Sequence, residues 1–115
     1  MTLDARLDVR VEEAVTFAFT VTNATTEHVE LRFRDGQTAD VVLRDADADA
    51  GVGGPVWRWS DGRAFTQALR TETLAPGEEA RETMVWKDPV PGSYTAVATL
   101  EAEGASVHAD NAFEV

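Results

Sequence analysis

LDARLDVRVEEAVTFAFTVTN, residues 3–23, decides the fold class. In its first half Leu3, Ala5, Leu7, Val9 and Val11 alternate with Asp4, Arg6, Asp8, Arg10 and Glu12. In its second half Val15, Phe17, Phe19 and Val21 alternate with Thr16, Thr20 and Thr22. A period of two sends successive side chains to opposite faces of an extended chain, so each run predicts a strand with one face on a core and the other in water. The pattern recurs at Val29, Leu31 and Phe33, then over Thr38–Leu43 and Val56–Ser60. It returns from about Ala80 to Lys87, at Tyr94, Ala96, Ala98 and Leu100, and over Val107–Val115. Turn residues separate these runs at Asn23–Glu27, Asp35-Gly36, Asp61-Gly62, Ala75-Pro76-Gly77 and Pro89–Gly92. About eight short strands at this spacing predict an all-β antiparallel sandwich or barrel. Only Arg63–Arg70 has the composition for a helical turn.

The chain has 115 residues, 43% of them apolar, which suits one domain spanning 1–115 with a single two-layer core. No apolar run is long enough to cross a bilayer as a helix, and MTLDARLDVRVEE lacks the hydrophobic block of a secretion signal. The expected location is therefore the cytoplasm, with no membrane partner. Cysteine is absent, which removes disulfides, thiolate chemistry and cysteine-built zinc sites.

Acidic residues number 21 against 10 basic ones, for a net charge of −11, and Lys87 is the single lysine. Acids spread this evenly fit a halophilic protein whose self-repulsion is screened by molar salt. A nucleic-acid partner is not expected, because a duplex repels such a surface and no basic patch appears.

Catalytic chemistry finds little support. His28 and His108 are the only histidines, and neither has a serine or cysteine at a diagnostic spacing. Gly51, Gly53 and Gly54 precede a strand, whereas phosphate-binding glycines open a helix. Asp45, Asp47 and Asp49 begin like a calcium loop, but Ala50 and Val56 stand where such a loop needs glycine and a bidentate glutamate. The sequence therefore predicts no catalytic residue, no cofactor and no metal, and reads DADADAGVGGP, residues 45–55, as a solvated acidic loop.

VWRWSDGRAFTQ, residues 56–67, concentrates the aromatic surface. Trp57 and Trp59 share a parity and face the same way in a regular strand, with Phe65 and Trp86 as neighbours. Filling the gap between two sheets is the expected role for them. An exposed ridge for a protein partner is the alternative.

These stretches carry a resemblance. FTVTNATTEHVELRF (19–33), DGQTADVVLRDAD (35–47), VWRWSDGRAFTQALRTETLAPGEE (56–79) and VWKDPVPGSYTAVATL (85–100) occur in the order seen in the intracellular proteinase inhibitor family of BsuPI-like domains. The Gly36-Gln37 pair with Asp40, then Trp57-x-Trp59-Ser60 and Phe65, is the most specific part. The chain departs from the family at Ala39, where an aromatic is frequent, and in the length of loop 45–55. The resemblance implies an immunoglobulin-like antiparallel β-sandwich and inhibition of an intracellular serine protease. The expected protein is non-enzymatic and a monomer or weak dimer, with a subtilisin-like protease as its partner. The expected contact surface is the loop 45–55 with the adjoining hairpin, naming Val52, Pro55, Arg58, Asp61 and Arg63. The competing reading is a structural or interaction module of the same fold without inhibitory activity.

Overall fold

In the computed structural model, which describes residues 3–46, 55–105 and 107–115, the alternation of residues 3–23 becomes a hairpin of two nine-residue strands, β1 (Leu3–Val11) and β2 (Val15–Asn23). Their register runs from Leu3↔Asn23 to Val11↔Val15. Seven further strands follow among the described residues: β3 (Val29–Phe33), β4 (Ala39–Asp45), β5 (Trp57–Arg58), β6 (Arg70–Leu74), β7 (Glu79–Trp86), β8 (Ser93–Leu100) and β9 (His108–Glu114). They form three antiparallel sheets, in the orders β1-β2-β7, β3-β6 and β5-β4-β8-β9.

The first and third sheets face each other. Phe17, Phe19 and Val21 of β2 and Met84 of β7 bury their side chains against Val41 and Leu43 of β4 and Ala96 and Ala98 of β8. Ring contacts cross the gap: Phe17 lies 6.1 Å from Trp57 and 5.6 Å from Phe113. Apolar area on both inner faces is thereby removed from water, the main favourable term in a fold of this kind. This all-β sandwich agrees with the strand pattern in the sequence.

Strand β2 departs from simple alternation, because Ala18 and Thr20 on its outer face are also buried. It is the middle strand of its sheet, and the register sets Thr20 between Arg6 and Arg81, whose long stems flank the short side chain.

The small β3-β6 sheet continues the β2-β7 pair past a joint at Asn23, which is fully buried. Its Nδ2 donates to the carbonyls of Glu27 (2.8 Å) and Leu74 (2.9 Å), and its Oδ1 accepts from Thr25 N and Oγ1. Its backbone accepts from Gly77 N at 2.8 Å, and Gly77 has φ +80, a conformation that favours glycine. At the opposite corner Tyr94, at the start of β8, donates its hydroxyl to the carbonyl of Val90 at 2.7 Å. A tyrosine that ties the chain back in this way at a sheet-to-sheet corner is a feature of immunoglobulin-like sandwiches, with which the topology is compatible. Asn111 of β9 donates to the carbonyl of Leu7 at 3.0 Å and laces the edges β1 and β9 together.

Three local expectations are corrected. Strand β6 adds a ninth strand, in a stretch where only Leu74 is both apolar and buried. The helical turn over 63–70 does not form: residues 63–69 carry no regular structure and Arg70 opens β6. A hydrogen bond from Gly36 N to the Thr66 carbonyl (2.9 Å) takes an acceptor that a helix would need. The strand expected over Val56–Ser60 narrows to Trp57–Arg58, although Val56 N and Trp59 N still donate to Leu43 and Val41 of β4.

Candidate partner-binding site

The short strand β5 is held in place by one carboxylate. Asp40, 6% exposed in β4, accepts from Val41 N (2.9 Å), Ser60 N (3.0 Å) and Ser60 Oγ (2.6 Å). The Arg58 guanidinium lies 3.7 Å from its Oδ2. Charge-assisted bonds of this kind are the strong ones, and here they fasten the Trp57–Ser60 segment to the sheet. The spaced signature of Asp40 with Trp-x-Trp-Ser is therefore a clamp.

Next to the clamp, Gly36 N binds the Thr66 carbonyl, and a Cβ on Gly36 would sit 2.6 Å from Thr66 Oγ1. Glycine lets the segment after the hairpin lie directly on the loop before β4. Asp35 Oδ1 accepts from Gln37 N and shapes that loop.

The two tryptophans divide their tasks. Trp57 stacks on Trp86 at 5.7 Å and on Phe17, and so joins the core cluster that continues through Tyr94 and Phe113. Trp59 pairs with Phe65 at 5.8 Å and carries the Arg63 guanidinium 4.3 Å above its ring. Both remain half-buried. They are neither fully enclosed nor a free ridge; their outer edges help line an open groove of about 510 Å³ between the hairpin and residues Val85–Asp88.

Of the residues named from the sequence, Asp61 and Arg63 are exposed and line this groove. Arg63 Nε also donates to the Trp59 carbonyl at 2.9 Å. Arg58 faces the Asp40 clamp, and Pro55 is exposed ahead of β5. Val52 lies outside the described residues, as do Asp47 and Asp49; Asp45 is exposed at the end of β4. His28 and His108 are both exposed. No group of three metal-ligating side chains occurs among the described residues.

Among the described residues, two carboxylates titrate above their ordinary value. Burial raises Glu101, and the charges of Asp40 and then Asp35 raise it further, against an opposing contribution from Arg58. Burial raises Glu82 as well, opposed by Arg70. Sequence reading missed both Glu101 and the exposed stretch 67–69, because neither belongs to an alternating run. A lone leucine, Leu69, in a polar segment was the only available signal for the latter.

The described residues thus form a strand-built scaffold that carries a hairpin clamped by Asp40. The BsuPI family model, described as intracellular proteinase inhibitor, matches residues 2–105, and the chain belongs to that family. No curated protein matches the chain.

Proposed function

We propose that the protein is a non-enzymatic inhibitor of a subtilisin-like serine proteinase inside the cell, acting through segments that the sandwich holds rigid. The family supports inhibition of an intracellular proteinase. The observation that carries the mechanism is the Asp40 clamp, which fixes the hairpin carrying Trp57, Trp59, Asp61 and Arg63 before any partner arrives. A segment ordered in advance loses less entropy on binding and so keeps more of its contact energy. The expected species is a monomer or weak dimer at cytoplasmic concentrations.

Titration of a subtilisin-type proteinase with the purified protein in molar salt tests this reading. Loss of activity that saturates near one inhibitor per enzyme is expected. Full activity at a large molar excess would refute it and leave the second reading, an interaction module without inhibitory action. That second reading draws on the stacking of Trp57 and Trp86, which gives these rings an architectural role.

A further inference from the structure

Residues 63–69 lack regular structure, yet they are pinned along their length. At the start, Arg63 N donates to the Ser60 carbonyl and Phe65 packs on Trp59. In the middle, the Thr66 carbonyl is held by Gly36 N at 2.9 Å, over a glycine with no room for a Cβ. At the end, the Arg70 guanidinium lies 4.3 Å from the Phe33 ring centre, donates to Thr38 Oγ1 at 2.9 Å and pairs with Glu72 at 3.3 Å. Gln67, Ala68 and Leu69 stand exposed between these anchors. Leu69 is 81% exposed, the most of any large apolar side chain among the described residues. A cleft of about 300 Å³ opens beside it, between Arg32, Glu103 and Arg70.

A single exposed leucine is ordinary on a protein surface. Here it projects from irregular backbone fixed on each side, next to a hollow lined by Arg32, Phe33 and Glu103. An endoproteinase binds its substrate extended and takes one side chain into a primary pocket. We infer that residues 66–70 form the reactive segment, with Leu69 entering the primary pocket of an endoproteinase whose pocket is apolar. This rests on the inhibitory reading above and moves the primary contact from Val52, Pro55, Arg58, Asp61 and Arg63 to Leu69, with the clamped hairpin supporting the segment through the Trp59–Phe65 contact. Hydrolysis of the Leu69–Arg70 bond consumes one water and yields a carboxylate on Leu69 and an amine on Arg70. The anchors at Thr66 and Arg70 keep both new ends close, so the bond re-forms in competition with release.

The test compares the unaltered protein with Leu69→Ala, Leu69→Arg and, as a control, Val90→Ala at another exposed apolar residue. Each is titrated against a subtilisin-type proteinase with an apolar pocket and a trypsin-type proteinase with an acidic one. Melting temperatures confirm that all four proteins fold. Leu69→Ala is expected to weaken inhibition of the first enzyme roughly 10- to 150-fold, the equivalent of burying one leucine side chain. Leu69→Arg should shift inhibition to the second enzyme, Val90→Ala should change neither, and the first bond cut on long incubation should be Leu69–Arg70. Inhibition by the unaltered protein that both Leu69 variants reproduce within about twofold overturns the assignment and leaves the inhibitory reading standing. Absence of inhibition by the unaltered protein overturns the inhibitory reading, and the reactive segment with it.

Discussion

Asp40 holds one end of the sandwich in order with two oxygens. Removing its side chain leaves the amides of Val41 and Ser60 and the Ser60 hydroxyl without their acceptor, and the Arg58 guanidinium without its counter-charge. Unpaired buried donors carry their full desolvation cost, so Asp40→Ala is expected to lose about 2–4 kcal/mol of unfolding free energy in urea titration. Ser60→Ala removes one bond and should lose about 1 kcal/mol. A larger loss from Ser60→Ala than from Asp40→Ala would mean that the carboxylate is not the centre of the clamp. Glu101, beside it, acts in the opposite sense. Burial and the neighbouring Asp40 and Asp35 raise its pKa, so its charged form is disfavoured in the folded state. Its contribution to stability is complete below its ordinary value of 4.5 and is lost as pH rises through the higher folded value. Glu101→Gln should therefore melt higher than the unaltered protein at pH 7, and the difference should vanish as pH falls below 4.5. A variant that melts lower at pH 7 would show that the carboxylate is favourably placed.

The strands were legible wherever a buried face alternates with a wet one, as in β1, β3 and β8. Strand β6 was not, because Arg70, Thr71, Glu72 and Thr73 contribute no buried apolar side chain, and its place is set by pairing with β3. Parity likewise placed Trp57 and Trp59 on one face, but β5 ends at Arg58 and the chain turns, so Trp59 finds Phe65 rather than Trp86. Of the candidate site, the motif spacing was readable and its cause was not: Asp40 and Ser60 are brought together by the β4-β5 pairing, which local pattern does not show. Between elements the decisive joint is Asn23. Its amide needs both of its ends, because Nδ2 donates to two carbonyls while Oδ1 accepts from Thr25. Asn23→Asp keeps the shape, removes both donors and sets a carboxylate against two carbonyl oxygens. Asn23→Asp and Asn23→Ala should each cost about 2–4 kcal/mol in chemical denaturation. In hydrogen exchange, protection should fall first in β3 and β6, which depend on this joint, before β2 and β8. Uniform loss across all strands would show that the small sheet is not a separate unit of stability.

At the scale of the molecule the dominant quantity is a net charge of −11 on 115 residues. Ion pairs do little to offset it. Arg6–Asp8, Arg10–Glu12, Arg32–Glu30 and Arg34–Glu103 are exposed, and such pairs contribute a few tenths of a kcal/mol to about 1 kcal/mol each. Among the ion pairs between described residues named here, the Arg58–Asp40 pair is the one with a buried member. Salt therefore has little attraction to weaken and much repulsion to relieve. Screening shortens from about 10 Å at 0.1 M to about 3 Å at 1 M, which reduces repulsion between neighbouring carboxylates on the same face. The melting temperature at pH 7 is expected to rise steadily as sodium chloride is raised through this range. Apolar burial is also strengthened by some salts, so the charge effect has to be separated from it. The calculated isoelectric point of about 4.4 provides the means. Near that pH the net charge falls towards zero, and the gain from chloride should shrink to a small remainder, while the gain from sulfate, which acts through exclusion from the surface, should persist. A salt response of equal size at pH 7 and at pH 4.4 would show that hydration, and not relief of self-repulsion, governs the stability of this acidic fold in salt.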